Sequence, residues 1–211
     1  MAEGLRERKK RQTRQYISDV ATGLFIERGF DAVTVAEIAD AANVSVNTVY
    51  NYFPAKEDLF LDRSAGVVDR LARWVRGRAE GESAAEAVLR ELRDEVRAVS
   101  PRVGLLAGYA DFMRVIQEAP ALRSRLWALA QEVEANLEQV LREETGAAEG
   151  DELPSLMAGQ ISWIHGTVVR VIGREMLRRR DPGEVSREVL ALLDDIEELL
   201  GERVLAYAVR E

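Results

Sequence analysis

Thr34-Val35-Ala36-Glu37, Asn43-Val44-Ser45 and Phe53-Pro54 punctuate one short stretch of the chain so closely that only two very short helices fit between them. Thr34 with Glu37 three positions on is a capping box: the threonine oxygen accepts an orphan backbone N–H while the carboxylate reaches back. A helix therefore starts at about Val35. It ends near Ala42, because Asn43 enters the left-handed conformation at little cost. Ser45 caps the next helix, and Pro54 stops it, having no N–H to donate and disfavouring helical geometry at Phe53. Two short helices joined by a tight bend are a helix-turn-helix.

Helical periodicity runs through the remaining sequence, and no segment alternates as a strand would. The first helix spans about Arg6 to Arg28, with Ile17, Val20, Ala21, Leu24 and Phe25 on one face and Gly29 as its stop. Pro54-Ala55-Lys56-Glu57 suits the opening turn of a fourth helix. Long helices are predicted over 55–78, 83–99, 102–118, 120–144, 152–179 and 183–208, with breaks at Gly81, Pro101, Pro120, Gly146 to Gly150 and Asp181-Pro182-Gly183. The expected fold is all-α: an N-terminal three-helix helix-turn-helix head over 1–55, joined by a shared fourth helix to a larger helical domain over 56–211.

The formal charge of -8 speaks against a polyanionic partner until it is divided along the chain. Residues 1–53 hold 7 basic and 7 acidic side chains, leaving 22 basic and 30 acidic in the remainder, so all the excess acid lies outside the N-terminal quarter. Within the first fourteen residues Arg6, Arg8, Lys9, Lys10, Arg11 and Arg14 face only Glu3 and Glu7. A basic arm on an acidic body suits polarised contact with a polyanion. The chain has no cysteine, which excludes disulfides, thiolate zinc sites and cysteine nucleophiles. It has no apolar run of membrane-spanning length and no signal-peptide pattern, so a soluble cytoplasmic protein is expected.

In a helix-turn-helix the second helix enters the major groove of duplex DNA and presents its N-terminal side chains to base edges. Val46, Asn47, Thr48 and Asn51 suit that role: an asparagine amide both donates and accepts at an adenine edge, and valine or threonine methyls touch thymine. Tyr50 and Tyr52 carry hydroxyls for phosphate, and Lys56 adds a charge at the start of the next helix. Val49 and Phe53, four apart, turn inward against Ile38, Ala39 and Val44.

The string "FDAVTVAEIADAANVSVNTVYNYFPAKEDLF", with "IERGF" before it and the basic first helix, resembles the DNA-binding head of the TetR family of transcriptional regulators over about residues 9–60. The resemblance implies that Thr34 and Ser45 cap the second and recognition helices, that Tyr50 and Tyr52 lie near phosphates and that Lys56 binds phosphate. It further implies a homodimer on a palindromic double-stranded operator, most often a repressor, released by a small-molecule effector. The sequence departs from the family at Asn43, where glycine is usual, and at Val46-Asn47, where a lysine-glycine pair is common.

Beyond residue 60 the resemblance is one of length and helical character, and implies a ligand-binding and dimerisation domain. Gly159, Gly166 and Gly173 recur every seven residues, within about 40° of one another on a helix, and suit close approach by a neighbour. Val189, Leu193, Ile196 and Leu200 belong to an apolar stripe on the last helix that is wide enough for two neighbours. Together these two helices are assigned to dimerisation as a four-helix interface. Met157, Ile161, Ile164, His165 and Val168, with Tyr109, Phe112, Met113 and Trp127, are candidates to line an effector pocket. Asp194-Asp195 and Glu197-Glu198 read as solvated charge in preference to a metal site, and no cofactor is expected. A helical enzyme and a protein-binding adaptor are the alternatives. The first has little to build with, one histidine and no cysteine; the second requires that no duplex be bound.

Overall fold

The computed structural model describes residues 4–62 and 66–211 and is all-helical, with no strand among the described residues. The first three residues, including Glu3 of the basic arm, lie outside them. The described residues form eleven α-helices: α1 (Leu5–Arg28), α2 (Val35–Ala41), α3 (Val46–Tyr52), α4 (Lys56–Leu61), α5 (Arg70–Arg76), α6 (Ala84–Arg97), α7 (Tyr109–Glu118), α8 (Pro120–Thr145), α9 (Leu153–Leu177), α10 (Pro182–Leu199) and α11 (Glu202–Leu205). They form two compact units, Met1–Ala65 with Arg114–Arg125, and Gly66–Met113 with Leu126–Glu211. Both boundaries in the middle of the chain fall inside helices, one in α7 and one in α8.

The first unit is built on α1. Ile17, Ala21 and Phe25 are fully buried on one face of it and meet Ile38 and Ala39 of α2, Val49 and Phe53 around α3, and Leu59 and Phe60 of α4, all at 1% exposure or less. Phe25 packs against Phe30 (centroids 4.9 Å apart) and edge-on against Phe60 (5.7 Å), so one ring ties α1 to the loop before α2 and to α4. Ser18 donates to the Leu59 carbonyl at 3.0 Å, satisfying a fully buried hydroxyl. Residues 114–125 complete the unit: Arg114 donates to the Ile26 carbonyl (3.2 Å), and Arg125 pairs with Asp58 (3.2 Å).

The second unit has one continuous core. α6 supplies Ala85, Val88, Leu89, Leu92 and Val96 at helical spacing; α8 adds Leu137, Val140 and Leu141, α9 adds Ile161, Ile164, Val168 and Ile172, and α10 adds Val185, Val189, Leu193 and Ile196. Ser186 of α10 donates to the Val96 carbonyl at 2.7 Å, fixing α10 on the end of α6. Arg93 of α6 pairs with Asp194 (3.0 Å) and Glu197, which explains half of the acidic cluster on α10 as ion pairing.

Three predicted helices are shorter than periodicity suggests. The shared helix over 55–78 is two helices, α4 and α5, because Gly66 has φ +86°, a left-handed value that no helix carries. The helix predicted from 102 begins only at Tyr109. A 3-10 turn at Pro101–Val103 precedes it, ending at Gly104 (φ +93°), where a Cβ would stand 2.7 Å from the Tyr109 ring. Close approach as well as backbone sign therefore requires glycine there. The last helix stops at Leu199, not 208. The tail folds back instead, with Gly81 N–H to Arg210 O at 2.9 Å and Arg210 N–H to Glu82 O at 3.0 Å. Arg78, only 3% exposed, fastens that return through Glu144 (2.8 Å) and the carbonyls of Val75 (2.6 Å) and Ala208 (3.1 Å).

Four residues expected at a dimer face are placed otherwise. Val189, Leu193 and Ile196 are at most 2% exposed within the single chain, and half-buried Leu200 packs on the same core, so the wide stripe of α10 is satisfied internally by α6 and α9. Leu193→Ala should accordingly cost about 2–5 kcal/mol of folding stability in chemical denaturation, the range for a fully buried leucine. A cost near zero would place Leu193 on a surface.

Candidate nucleic-acid interface

The capping box at α2 forms as the sequence requires. Glu37 N–H donates to Thr34 Oγ1 (3.2 Å), Thr34 N–H donates to Glu37 Oε2 (2.8 Å), and Arg28 from the end of α1 holds Glu37 Oε1 at 2.7 Å. The Thr34 backbone donor, then Arg28, draw the Glu37 carboxyl down to about 2. The bend follows at Asn43, φ +52°, with Val44 N–H bonded back to the Ala39 carbonyl at 2.9 Å. Asparagine thus occupies the left-handed position without strain that would exclude it.

α3 is held at both ends. Ser45 Oγ accepts from Thr48 N–H (3.0 Å) and lies 2.8 Å from Thr48 Oγ1. At the far end Val49 and Phe53 are 1% exposed, and Val44 is half-buried. Between the anchors Val46, Asn47, Tyr50 and Asn51 stand exposed on one side of the helix, with Val46 at 40% and Tyr50 at 50%. Thr48 is half-buried and its hydroxyl is engaged by the cap, so of the four proposed base readers it is the most constrained.

Tyr52 and Lys56 do more than face solvent. Tyr52 is half-buried and leans on Phe53 (6.5 Å between centroids). The Lys56 ammonium donates to the Phe30 carbonyl at 2.6 Å and sits 4.4 Å over the Phe30 ring and 5.6 Å from that of Phe25. Burial lowers its pKa below the ordinary lysine value, though nearby Asp31, Glu57 and Glu37 act in the other direction. One of its three donors is therefore committed to the fold, and the others remain for an anion.

Sequence reasoning missed Arg14. Counted there with the basic arm, it turns inward: Nε bonds Asp62 Oδ1 at 2.7 Å, a second nitrogen donates to the Tyr52 carbonyl at 2.7 Å, and the guanidinium lies 4.5 Å from the Phe53 ring centroid. It satisfies a C-terminal carbonyl of α3 and stacks on its anchor. Nothing in the residues next to Arg14 signals this; only the pairing with distant Asp62 reveals it. Arg6, Arg8, Lys9, Lys10 and Arg11 stay exposed along the start of α1.

This geometry is that of a helix-turn-helix of the kind that enters the major groove of DNA, carried by the first unit of a chain whose second unit is also helical. The comparisons agree. The description "Bacterial regulatory proteins, tetR family" matches residues 17–62. The regulator TcmR of Streptomyces glaucescens is 28% identical over 186 residues, covering 84% of this chain and 79% of its own. The repressor KstR2 of Rhodococcus jostii is 40% identical over 58 residues, 28% of each chain, a likeness confined to about the length of the head. NalD of Pseudomonas aeruginosa, the secondary repressor of an efflux pump, shares the fold with a TM-score of 0.56 at 19% identity, over 88% of this chain and 96% of that one. The head of the chain, residues 17–62, therefore matches the DNA-binding head of the tetR family of regulatory proteins, and most of the chain is similar to the regulator TcmR.

In the second unit the expected pocket residues separate. Met157, Ile161, Ile164 and Val168 are core, at most 5% exposed. Tyr109 stacks on Phe112 (5.8 Å) and burial raises its phenol pKa; Met113 Cε would stand 3.5 Å from a Cβ on Gly173. Trp127 is corrected: at 69% exposure it lies off the buried stripe of α8 and lines no interior of the single chain. His165 is closest to a site. Its Nε2 is sealed from solvent without a hydrogen-bond partner, and burial together with the charge of Arg70 presses its pKa down to about 4, so it is neutral at pH 7. The glycine stripe also divides, since Gly173 faces Met113, Gly159 faces Glu134 and Gly166 opens to solvent.

Two predictions follow from how α3 is held. Asn47→Ala should change base preference and leave the melting temperature unmoved, whereas Lys56→Ala should weaken binding to all duplexes alike and also lower the melting temperature; equal effects from both would contradict these roles. Arg14→Met should cost about 1–3 kcal/mol by leaving buried Asp62 unsatisfied, and Arg14→Met with Asp62→Leu should restore part of it in denaturation curves.

Proposed function

We propose that the chain is a homodimeric repressor that binds a palindromic operator and is released by a small-molecule effector. The observation that carries this is the exposed set Val46, Asn47, Tyr50 and Asn51 on a short helix fixed at both ends, the arrangement that base reading requires. Their proposed roles are those of the sequence reading: Val46, Asn47, Thr48 and Asn51 at base edges, Tyr50, Tyr52, Lys56 and the basic start of α1 at phosphates. The repressor sign is taken from relatives, KstR2 and NalD being described as repressors. We read the protein as a regulator without catalysis, acting on DNA in the cytoplasm.

Dimerisation is assigned to the outer side of α9 and the end of α10. There Leu156 (65% exposed), Trp163 (48%) and Leu199 (78%) are large apolar side chains left on the surface of the single chain, and Gly166 beside Trp163 allows close approach. This replaces the buried α10 residues as the interface. Each protomer then offers one recognition helix to a half-site, a helical turn or a multiple apart. Because α7 and α8 each belong to both units, a change in the second unit has two continuous helices by which to alter the head. An effector acts only through its differential affinity for the DNA-competent and incompetent states.

Genomic fragments retained by the purified protein supply the operator. Its affinity, followed by anisotropy, should fall steeply and linearly in log–log form with salt; absence of any specific complex at low salt would sink the proposal. Trp163→Glu should yield a folded monomer by light scattering with sharply weakened operator binding, and a dimer that persists in this variant moves the interface elsewhere.

A further inference from the structure

α9 carries two polar atoms that the fold leaves without partners. Ser162 Oγ and His165 Nε2 are both sealed from solvent and neither makes a hydrogen bond. Three positions apart, they share one side of the helix. Buried polar groups are nearly always satisfied, and each orphan costs about 1–3 kcal/mol. For the serine that cost is avoidable, since a helical hydroxyl can bond the carbonyl four residues back, and Ser162 does not.

Two side chains of α5 adjoin them. Trp74 stands edge-on to the His165 ring, with centroids 6.3 Å apart and an interplanar angle of 65°. One turn earlier Arg70 is half-buried and near enough for its charge to act on His165. Its guanidinium makes one hydrogen bond, to the Arg102 carbonyl at 3.0 Å, and among the described residues no carboxylate lies within ion-pair distance of it. Glu95, the acid whose charge reaches it, is already bonded to Arg102 at 3.2 Å. A half-buried arginine with no direct ion-pair partner has charge left for an anion.

We propose that Arg70, Trp74, Ser162 and His165 form the recognition end of the effector site and that the effector is an aromatic carboxylic acid; this rests on the reading of the protein as effector-responsive. The Ser162 hydroxyl and the imidazole, taken as its Nε2–H tautomer, are buried donors without an acceptor, Arg70 supplies a positive charge that acts on His165, and a carboxylate would answer both the donors and the charge. The indole beside them offers a flat apolar surface to a ring. A neutral ligand would leave the guanidinium uncompensated.

Histidine occurs once in the chain, so its imidazole is a single NMR probe of the site. The full-length protein is titrated with 2-naphthoate and, separately, with its neutral isostere 2-naphthamide. The imidazole signals should shift saturably with naphthoate, the amide should bind at least about tenfold more weakly, and Arg70→Gln should erase that preference. Lack of saturable naphthoate binding at His165, or equal affinity for the amide, overturns the proposal on the unaltered protein whether or not the variant folds. Operator binding is measured in parallel. Saturation of the site by naphthoate with no change in operator affinity would keep the ligand chemistry and remove the effector reading. Operator release by neutral aromatics that leave a naphthoate-insensitive imidazole would do the reverse.

Discussion

A helix as short as Val46–Tyr52 does not hold itself together in water, because nucleation costs more than its few internal bonds return. What holds α3 in shape therefore comes from its contacts with the rest of the head. Ser45 satisfies its first donors, Val49 and Phe53 bury its inner side, and Arg14 takes the Tyr52 carbonyl at its far end. These supports leave the outward side chains free of structural work, which is the condition for varying them without losing the fold. Val46-Asn47, the pair least like the family, sits on that free side.

What was legible in the sequence was local. Caps and breakers act within a few residues, so the box at Thr34, the bend at Asn43, the cap at Ser45, the start of α10 at Asp181 and the ends of α6, α8 and α9 could all be read within a residue or two. The helix breaks at Gly66 and Gly104 were not legible, because each sits in an apolar-periodic stretch and only its backbone sign, or the Tyr109 ring above it, shows that the helix cannot continue.

The candidate site divided along the same line. Thr34, Ser45 and the outward residues of α3 follow from register on one short helix, and the structure leaves Val46, Asn47, Tyr50 and Asn51 exposed as that register requires. The residues of the second unit do not follow from register. A wide apolar stripe can meet one neighbour and a partner, or two neighbours in the same chain; α10 does the second, between α6 and α9, so Val189, Leu193 and Ile196 are core. Three glycines on one stripe met three different environments for the same reason. Arg14 was invisible because its partner, Asp62, lies far along the chain.

Each unit keeps a buried polar atom unsatisfied, Thr22 Oγ1 on α1 in the head and Ser162 Oγ with His165 Nε2 on α9 in the second unit, but they differ in how they treat charge. In the head, Thr34, Ser45, Arg14, Arg28 and Lys56 each find a partner within the fold, and the cations that do not turn inward are on the outer surface of α1. Such a surface is complete before DNA arrives, and binding need not reorganise it. The second unit keeps Ser162 and His165 unsatisfied near Arg70, a half-buried cation without a direct ion-pair partner. Orphaned donors destabilise the empty state and are relieved only when an acceptor is supplied, so a ligand that supplies one gains affinity from the defect. Such a defect can drive a switch only if it is felt unequally in two conformations. A core that is close-packed on α6, α9 and α10 but frustrated along one side of α9 meets the first half of that requirement in its own residues.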